Sequence, residues 1–210
     1  NYNSNAVLTD CSFIGNKATY SMGPGGVANA WRSDGTFTRC RFEENSDGAM
    51  AIGESSPTLI DCVFEGNQYR ALSIMSYSKA VVVDCKFSEN DGVGMDVSGN
   101  SEPMVMNCTF IGNSAERGGA MYNQFGGNPT AIGCKFFGNT AGYSGGAVNN
   151  DWSKPIMINC IFSGNRTIGT LEWNGGGAIY NDYKSDAVLI NCTFAGNSAS
   201  RGNALACWSY

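Results

Sequence analysis

The sequence predicts an all-β fold: a parallel β-helix (β-solenoid) of about eight coils with stacked cysteine, phenylalanine and asparagine ladders, in one domain over residues 1–210. Three observations predict it: a C-x-F-x-x-N unit that recurs without exception, an alternating apolar segment before the unit, and a glycine-rich segment after it. Self-similarity of this kind marks a repeat architecture.

The unit is carried by Cys11, Cys40, Cys62, Cys85, Cys108, Cys134, Cys160 and Cys192. Two residues after each stands Phe13, Phe42, Phe64, Phe87, Phe110, Phe136, Phe162 or Phe194, and five after each stands Asn16, Asn45, Asn67, Asn90, Asn113, Asn139, Asn165 or Asn197. Intervals between successive cysteines are 29, 22, 23, 23, 26, 26 and 32 residues, too irregular for an array of helical hairpins and natural where strands are constant and corners vary. Segments such as Ala6-Val7-Leu8, Val81-Val82-Val83 and Val188-Leu189-Ile190 have the strand pattern, and each reads as one strand running through C-x-F. After each asparagine, segments such as Gly145-Gly146-Ala147-Val148 read as a second strand per coil.

Side chains alternate across a strand, so Cys and Phe two residues apart share the inward face. Coils lie about 4.8 Å apart, which stacks like on like, with the asparagine at the following corner satisfying buried backbone groups. The cysteine column is expected to be free and buried: a thiol is small and apolar, and directly stacked strands hold Cβ atoms farther apart than a disulfide wants. Cys207 belongs to another column, with Asn123, Asn150 and Asn181.

Composition excludes several functions. The chain has no histidine, which removes the commonest general base and metal ligand, and no cofactor is expected. A net charge of -5 with 13 dispersed basic residues argues against a nucleic-acid partner. No apolar stretch reaches the roughly 20 residues of a transmembrane segment, and the first residues lack the pattern of a signal peptide.

The combination of GGA-[ILVM] and F-x-x-N repeats resembles the passenger region of the chlamydial polymorphic membrane proteins and related bacterial right-handed parallel β-helix repeat proteins. The F-x-x-N half is present in all eight coils; the GGA half is intact at Gly118-Gly119-Ala120, Gly145-Gly146-Ala147 and Gly176-Gly177-Ala178 and degraded at Gly25-Gly26-Val27, Gly48-Ala49, Ala71-Leu72, Gly92-Val93 and Gly202-Asn203-Ala204. The resemblance implies a right-handed solenoid and a surface-exposed, adhesin-like role. The membrane β-barrel in which those proteins end has no counterpart in these residues, so the anchor is not carried over.

Both ends, Ala6-Val7-Leu8 and the run Ala204, Leu205, Cys207, Trp208 and Tyr210, enter strands without a polar cap, although solenoids normally carry caps. Joining them would give an interval of 29 residues, within the range inside the chain. The expectation is an extracellular or cell-surface structural protein that stacks head to tail with copies of itself into a filament. The alternative is an adhesin segment of a longer tandem protein.

Aromatic residues Trp31, Tyr77, Phe125, Trp152, Tyr183 and Trp208 recur at the corner after the glycine strand, a stripe that suits carbohydrate, a host or neighbouring cell surface, or a neighbouring filament. A second alternative is a polysaccharide lyase or hydrolase using Asp61 over Asp84, with Arg41, Arg39 and Lys86 nearby, because paired carboxylates serve glycoside hydrolysis or cation binding. The competing reading of that group is a solvated face of alternating charge. Acceptor patterns for glycosylation at Asn107 and Asn191 overlap core strands, and the one at Asn165 overlaps the asparagine ladder.

Overall fold

The computed structural model describes residues 5–17, 27–28, 32–171 and 174–208; Trp31, Tyr210 and the Gly25-Gly26 pair lie outside them. Every coil contributes to parallel sheets that run the length of the molecule. The first sheet has eight strands, from Val7–Thr9 and Thr36–Thr38 through to Ile156–Ile158 and Val188–Ile190. A second sheet of eight strands runs from Ser12–Ile14 through Lys86–Ser88 to Thr193–Ala195, and the third has eleven.

The apolar segment and C-x-F are therefore two strands, not one, and a full coil has three strands rather than two. The break falls on the residue before each cysteine. Asp10, Arg39, Asp61, Asp84, Asn107, Gly133, Asn159 and Asn191 all have φ between 50° and 65°. Seven of these eight are Asp, Asn or Gly, the types that reach the left-handed region at least cost. A second corner precedes each ladder asparagine, where Gly15, Glu44, Gly66, Glu89, Gly112, Gly138, Gly164 and Gly196 also have positive φ.

Between those corners the ladders close the interior. The phenylalanine rings from Phe13 to Phe194 stack with centroids 4.6 to 5.1 Å apart and planes within 14° of parallel. Phe42, Phe64, Phe87, Phe110, Phe136 and Phe162 are fully buried. The asparagines form a hydrogen-bonded column: the backbone and side-chain nitrogens of Asn45 both donate to Asn67 Oδ1 at 3.0 Å, and Asn45 Nδ2 also donates to the Phe13 carbonyl at 2.9 Å. The same three bonds repeat down to Asn165, which donates to Asn197 Oδ1 and to the Phe136 carbonyl.

All the cysteines are free thiols, and Cys40, Cys62, Cys85, Cys108, Cys134 and Cys160 are buried. Their sulfurs face backbone carbonyls; Cys108 Sγ lies 3.3 Å from the Met106 oxygen and 3.5 Å from that of Val82. Burial pushes the Cys40 thiol up, and hydrogen bonding to Cys85 together with burial pushes Cys62 up.

Candidate functional site

The third sheet departs from a flat ribbon. Gln68–Met75 and Asp91–Val97 are long strands paired side by side over their length. Beyond Asp91–Val97 the sheet forks. Its first residues pair with Ser114, in the strand Ser114–Arg117, while Met95, Asp96 and Val97 pair with Met121, Tyr122 and Asn123. One arm continues through Thr140–Ser144 and Arg166–Thr167, the other through Val148–Asp151, Ile179–Asn181 and Leu205–Cys207.

The G-G-A segments form the elbow between the arms. Gly118, Gly145 and Gly176 have φ of 57°, 64° and 67°, which turn the chain. The glycine that follows is held by contact instead: a Cβ at Gly119 would stand 2.5 Å from the Thr140 carbonyl oxygen. Two side-chain bonds clip the arms together, from Asn149 Nδ2 to Ser144 Oγ at 2.6 Å and from Thr167 Oγ1 to the Gly176 carbonyl at 3.0 Å.

A trough opens on the outer side of this elbow. Asp96, Tyr122, Asn149 and Tyr180 occupy one register column across four coils, while their neighbours Met95, Val97, Met121, Val148 and Ile179 fill the core. A hollow of about 640 Å³ is lined by Tyr69, Arg70, Asp96, Arg117, Tyr122 and Ile168, among others. It shares Arg117 with a second hollow of about 480 Å³ beside Tyr143, Leu171 and Asp182. A third, of about 230 Å³, shares Tyr180 and Trp208 with the second. The trough thus follows the solenoid axis from the coil of Tyr69 to that of Trp208, six coils, or about 24 Å at the usual strand spacing.

Two ion pairs lie within it, while Asp91 and Glu116 in the first hollow and Arg201 in the third have no ion pair among the described residues. Arg70 Nε lies 3.4 Å from Asp96 Oδ2, which also accepts from Gln124 Nε2 at 3.0 Å. Arg117 faces Asp182 at 3.8 Å, and the Tyr122 hydroxyl lies within the electrostatic reach of Arg117 and Asp151. Burial raises the Asp96 carboxyl above the ordinary carboxylate value, against the opposing pull of Arg70 and Gln124. Burial and then the nearby Asp182 charge raise Asp151. Asp96 is 1% exposed, and its Oδ1 has no hydrogen-bond partner. Among the described residues, no group of three His, Cys, Asp or Glu side chains could hold a metal ion.

The residues singled out from the sequence lie elsewhere. Asp61 and Asp84 follow one another at the corner between the first two sheets, both exposed, with the Asp61 amide bonded to the Val83 carbonyl and the Asp84 amide to that of Met106. Arg39 pairs with Asp10 at 2.6 Å, Arg41 pairs with Glu43, and Lys86 lies 3.9 Å from Glu65, so each cation has another carboxylate as its partner, and Arg39 alone among them also feels the Asp61 charge one coil away. The aromatic stripe is interrupted. Trp152 and Tyr183 are neighbours with centroids 5.4 Å apart and Lys184 Nζ over both rings, 4.5 and 5.0 Å from the centroids. Tyr77 is separated from Phe125 by the turn at Gly99 and Asn100, and Trp208 falls level with Asp182, one position away from Tyr183, because Asn181 pairs with Cys207. The sequence did carry a signal for the trough: intervals lengthen from 23 to 26 residues where the G-G-A segments become intact.

The family described as "Right handed beta helix region" matches residues 1–150. No curated protein matches the chain. Among solved structures, that of QnrB1, a plasmid-mediated fluoroquinolone resistance protein, is similar at 10% identity over 90% of this chain and 92% of that chain, with a TM-score of 0.29. Stacked parallel coils and a family match over residues 1–150 of 210 agree: the chain belongs to the right-handed β-helix family.

Proposed function

We propose that the chain is a non-catalytic structural solenoid of the cell exterior that adheres through its outer surface, the role implied by its resemblance to the passengers of the chlamydial polymorphic membrane proteins. One observation carries this reading. The residues common to all eight units, Cys, Phe and Asn, line the interior and its corners, where they hold coil to coil, and the outer faces vary freely as a surface for recognition. Family membership supports the solenoid architecture alone; the structural and adhesive role rests on the resemblance and on the outer surface.

The test pairs two measurements on the same material. The purified chain is incubated with immobilised polysaccharides, and both retention of protein and release of reducing ends or unsaturated sugars are followed. Retention without product is expected. Product formation that disappears in Asp84→Ala or Asp96→Asn would place the chain among the polysaccharide-degrading β-helices instead.

A further inference from the structure

We propose that the outer face of the first sheet is a docking surface for a second copy of the chain, the two solenoids lying face to face and antiparallel. The pairing goes beyond the adhesive role and does not depend on it.

Composition singles out this face. The first and third residues of every strand in the first sheet point outward, and from Val7 and Thr9 to Val188 and Ile190 all of them are Val, Ile, Met or Thr. Ile60, Met104, Ile156, Val188 and Ile190 are 37% to 49% exposed. The second sheet differs, since its outward positions include Arg41, Glu43, Glu65, Lys86 and Lys135. A charge-free apolar surface that runs through eight strands marks an interaction site.

Its size suits another solenoid. Strands about 4.8 Å apart, each of three residues with a corner residue on either side, make a flat face of about 38 by 16 Å. Two such faces would bury about 1,200 Å² together, the lower end of specific interfaces, so the dimer forms and dissociates with concentration.

Charge sets the orientation. One edge of the face carries Asp34, Lys79, Glu102, Lys154 and Asp186, each two residues before a strand. When the coils meet in reverse order, Thr36–Thr38 lies across from Ile156–Ile158 of the second copy and Val81–Val83 from Met104–Met106. Asp34 then faces Lys154 and Lys79 faces Glu102, each pair twice. Lys79, Glu102 and Lys154 keep 57% to 67% of their side chains exposed despite ion pairs along their own edge, so they have room for a partner across the interface. On the other edge the charged corners Asp10, Arg39, Asp61 and Asp84 meet the uncharged Asn191, Asn159, Gly133 and Asn107. No like charges are opposed, which is the condition for a specific register. A parallel pairing would set Asp34 against Arg39, whose guanidinium already donates twice to Asp10, and would align the two asparagine columns with their bonds pointing the same way.

Sedimentation equilibrium from micromolar to millimolar concentration should show a monomer–dimer equilibrium. Met104→Lys sets a charge against Val81 of the second copy and should weaken dimerisation by about 10-fold or more. Lys135→Glu, on the second sheet, should leave it unchanged, and thermal melts check that both variants are folded. Orientation is read by cross-linking. In a Cys207→Ser chain carrying Asp34→Cys and Lys154→Cys, a bis-maleimide about 10 Å long, the spacing of packed sheets, should give a covalent dimer, and either cysteine substitution alone should not. Within one copy the two positions lie five coils, or about 24 Å, apart, beyond the linker's reach. A monomer at every concentration, association indifferent to Met104→Lys, or a double variant that dimerises without cross-linking would overturn the assignment. Retention of a monomeric chain on neutral lipid vesicles, lost in Met104→Lys, would give the face to a membrane instead.

Discussion

Gly146 faces Gly177 of the next coil so closely that a Cβ on Gly146 would stand 2.2 Å from the Gly177 carbonyl oxygen. Gly177 repeats the relationship with the coil after, 2.1 Å from the Asn203 oxygen. The backbone-to-backbone contact makes the third sheet bend instead of running straight, and the trough occupies the outside of that bend.

Gly146→Ala should therefore cost far more than an alanine at a corner glycine. A methyl at Gly164, where φ is 65°, would have its nearest neighbour 4.0 Å away, so Gly164→Ala incurs only backbone strain of about 1–2 kcal/mol. Urea unfolding of the two variants beside the parent should show Gly146→Ala as the more damaging.

The asparagine column predicts a strong dependence on position. Asn113 Oδ1 accepts from the Asn90 amide at 3.2 Å and from Asn90 Nδ2 at 2.7 Å, and its own Nδ2 donates to the Phe87 carbonyl at 3.0 Å and to Asn139 Oδ1 at 2.9 Å. Asn113→Leu strands these buried groups, each worth about 1–3 kcal/mol when left unpaired, and should lower stability by about 3 kcal/mol or more. Asn16→Leu, at an exposed rung, should cost less than about 1 kcal/mol. The difference in denaturation midpoint between the two variants is the measurement.

Thiol chemistry should separate the columns. Cys207 is exposed and Cys11 and Cys192 are half-buried, whereas six thiols are sealed. A thiol-reactive disulfide reagent added to native protein should modify Cys207 first. Cys40, Cys62, Cys85, Cys108, Cys134 and Cys160 should react only after denaturant is added, because the fold seals them from the reagent.

Asp96 links stability to pH. Its carboxyl is raised in the fold, so the folded state holds the proton more tightly than the unfolded chain. The stability this provides is complete at pH below the ordinary carboxylate value of 3.8 and is lost as pH climbs through the raised value. Asp96→Asn should flatten that part of the pH–stability curve and leave the slope due to Asp151, also raised. Thermal melts from pH 3 to pH 8, for parent and variant, would show it.

Much of the solenoid is legible in the sequence because its core repeats. A residue type that must stack on itself has to recur, and Cys, Phe and Asn do so in every coil; the spacing alone pairs Asn45 with Asn67. The third strand per coil is hidden because the break before each cysteine is made by one residue's φ, although the Asp, Asn and Gly at that place are its trace. The trough is hidden for a different reason. Asp96 and Tyr122 sit 26 residues apart and become neighbours only through register, in a column whose residue type changes from coil to coil. Asp61 and Asp84 stand out in the sequence because they are regular, while the side chains of the trough column differ from one coil to the next.

The hydrogen bonds of the asparagine column all point the same way, each rung donating to the acceptor of the next. Such a rod has a vector, and its two directions are chemically distinct. It is also modular, because removing or duplicating one coil would leave every remaining donor with an identical acceptor at the same height. Lengthening or shortening by whole coils therefore preserves the bonding, whereas a change of a few residues is absorbed only at the corners.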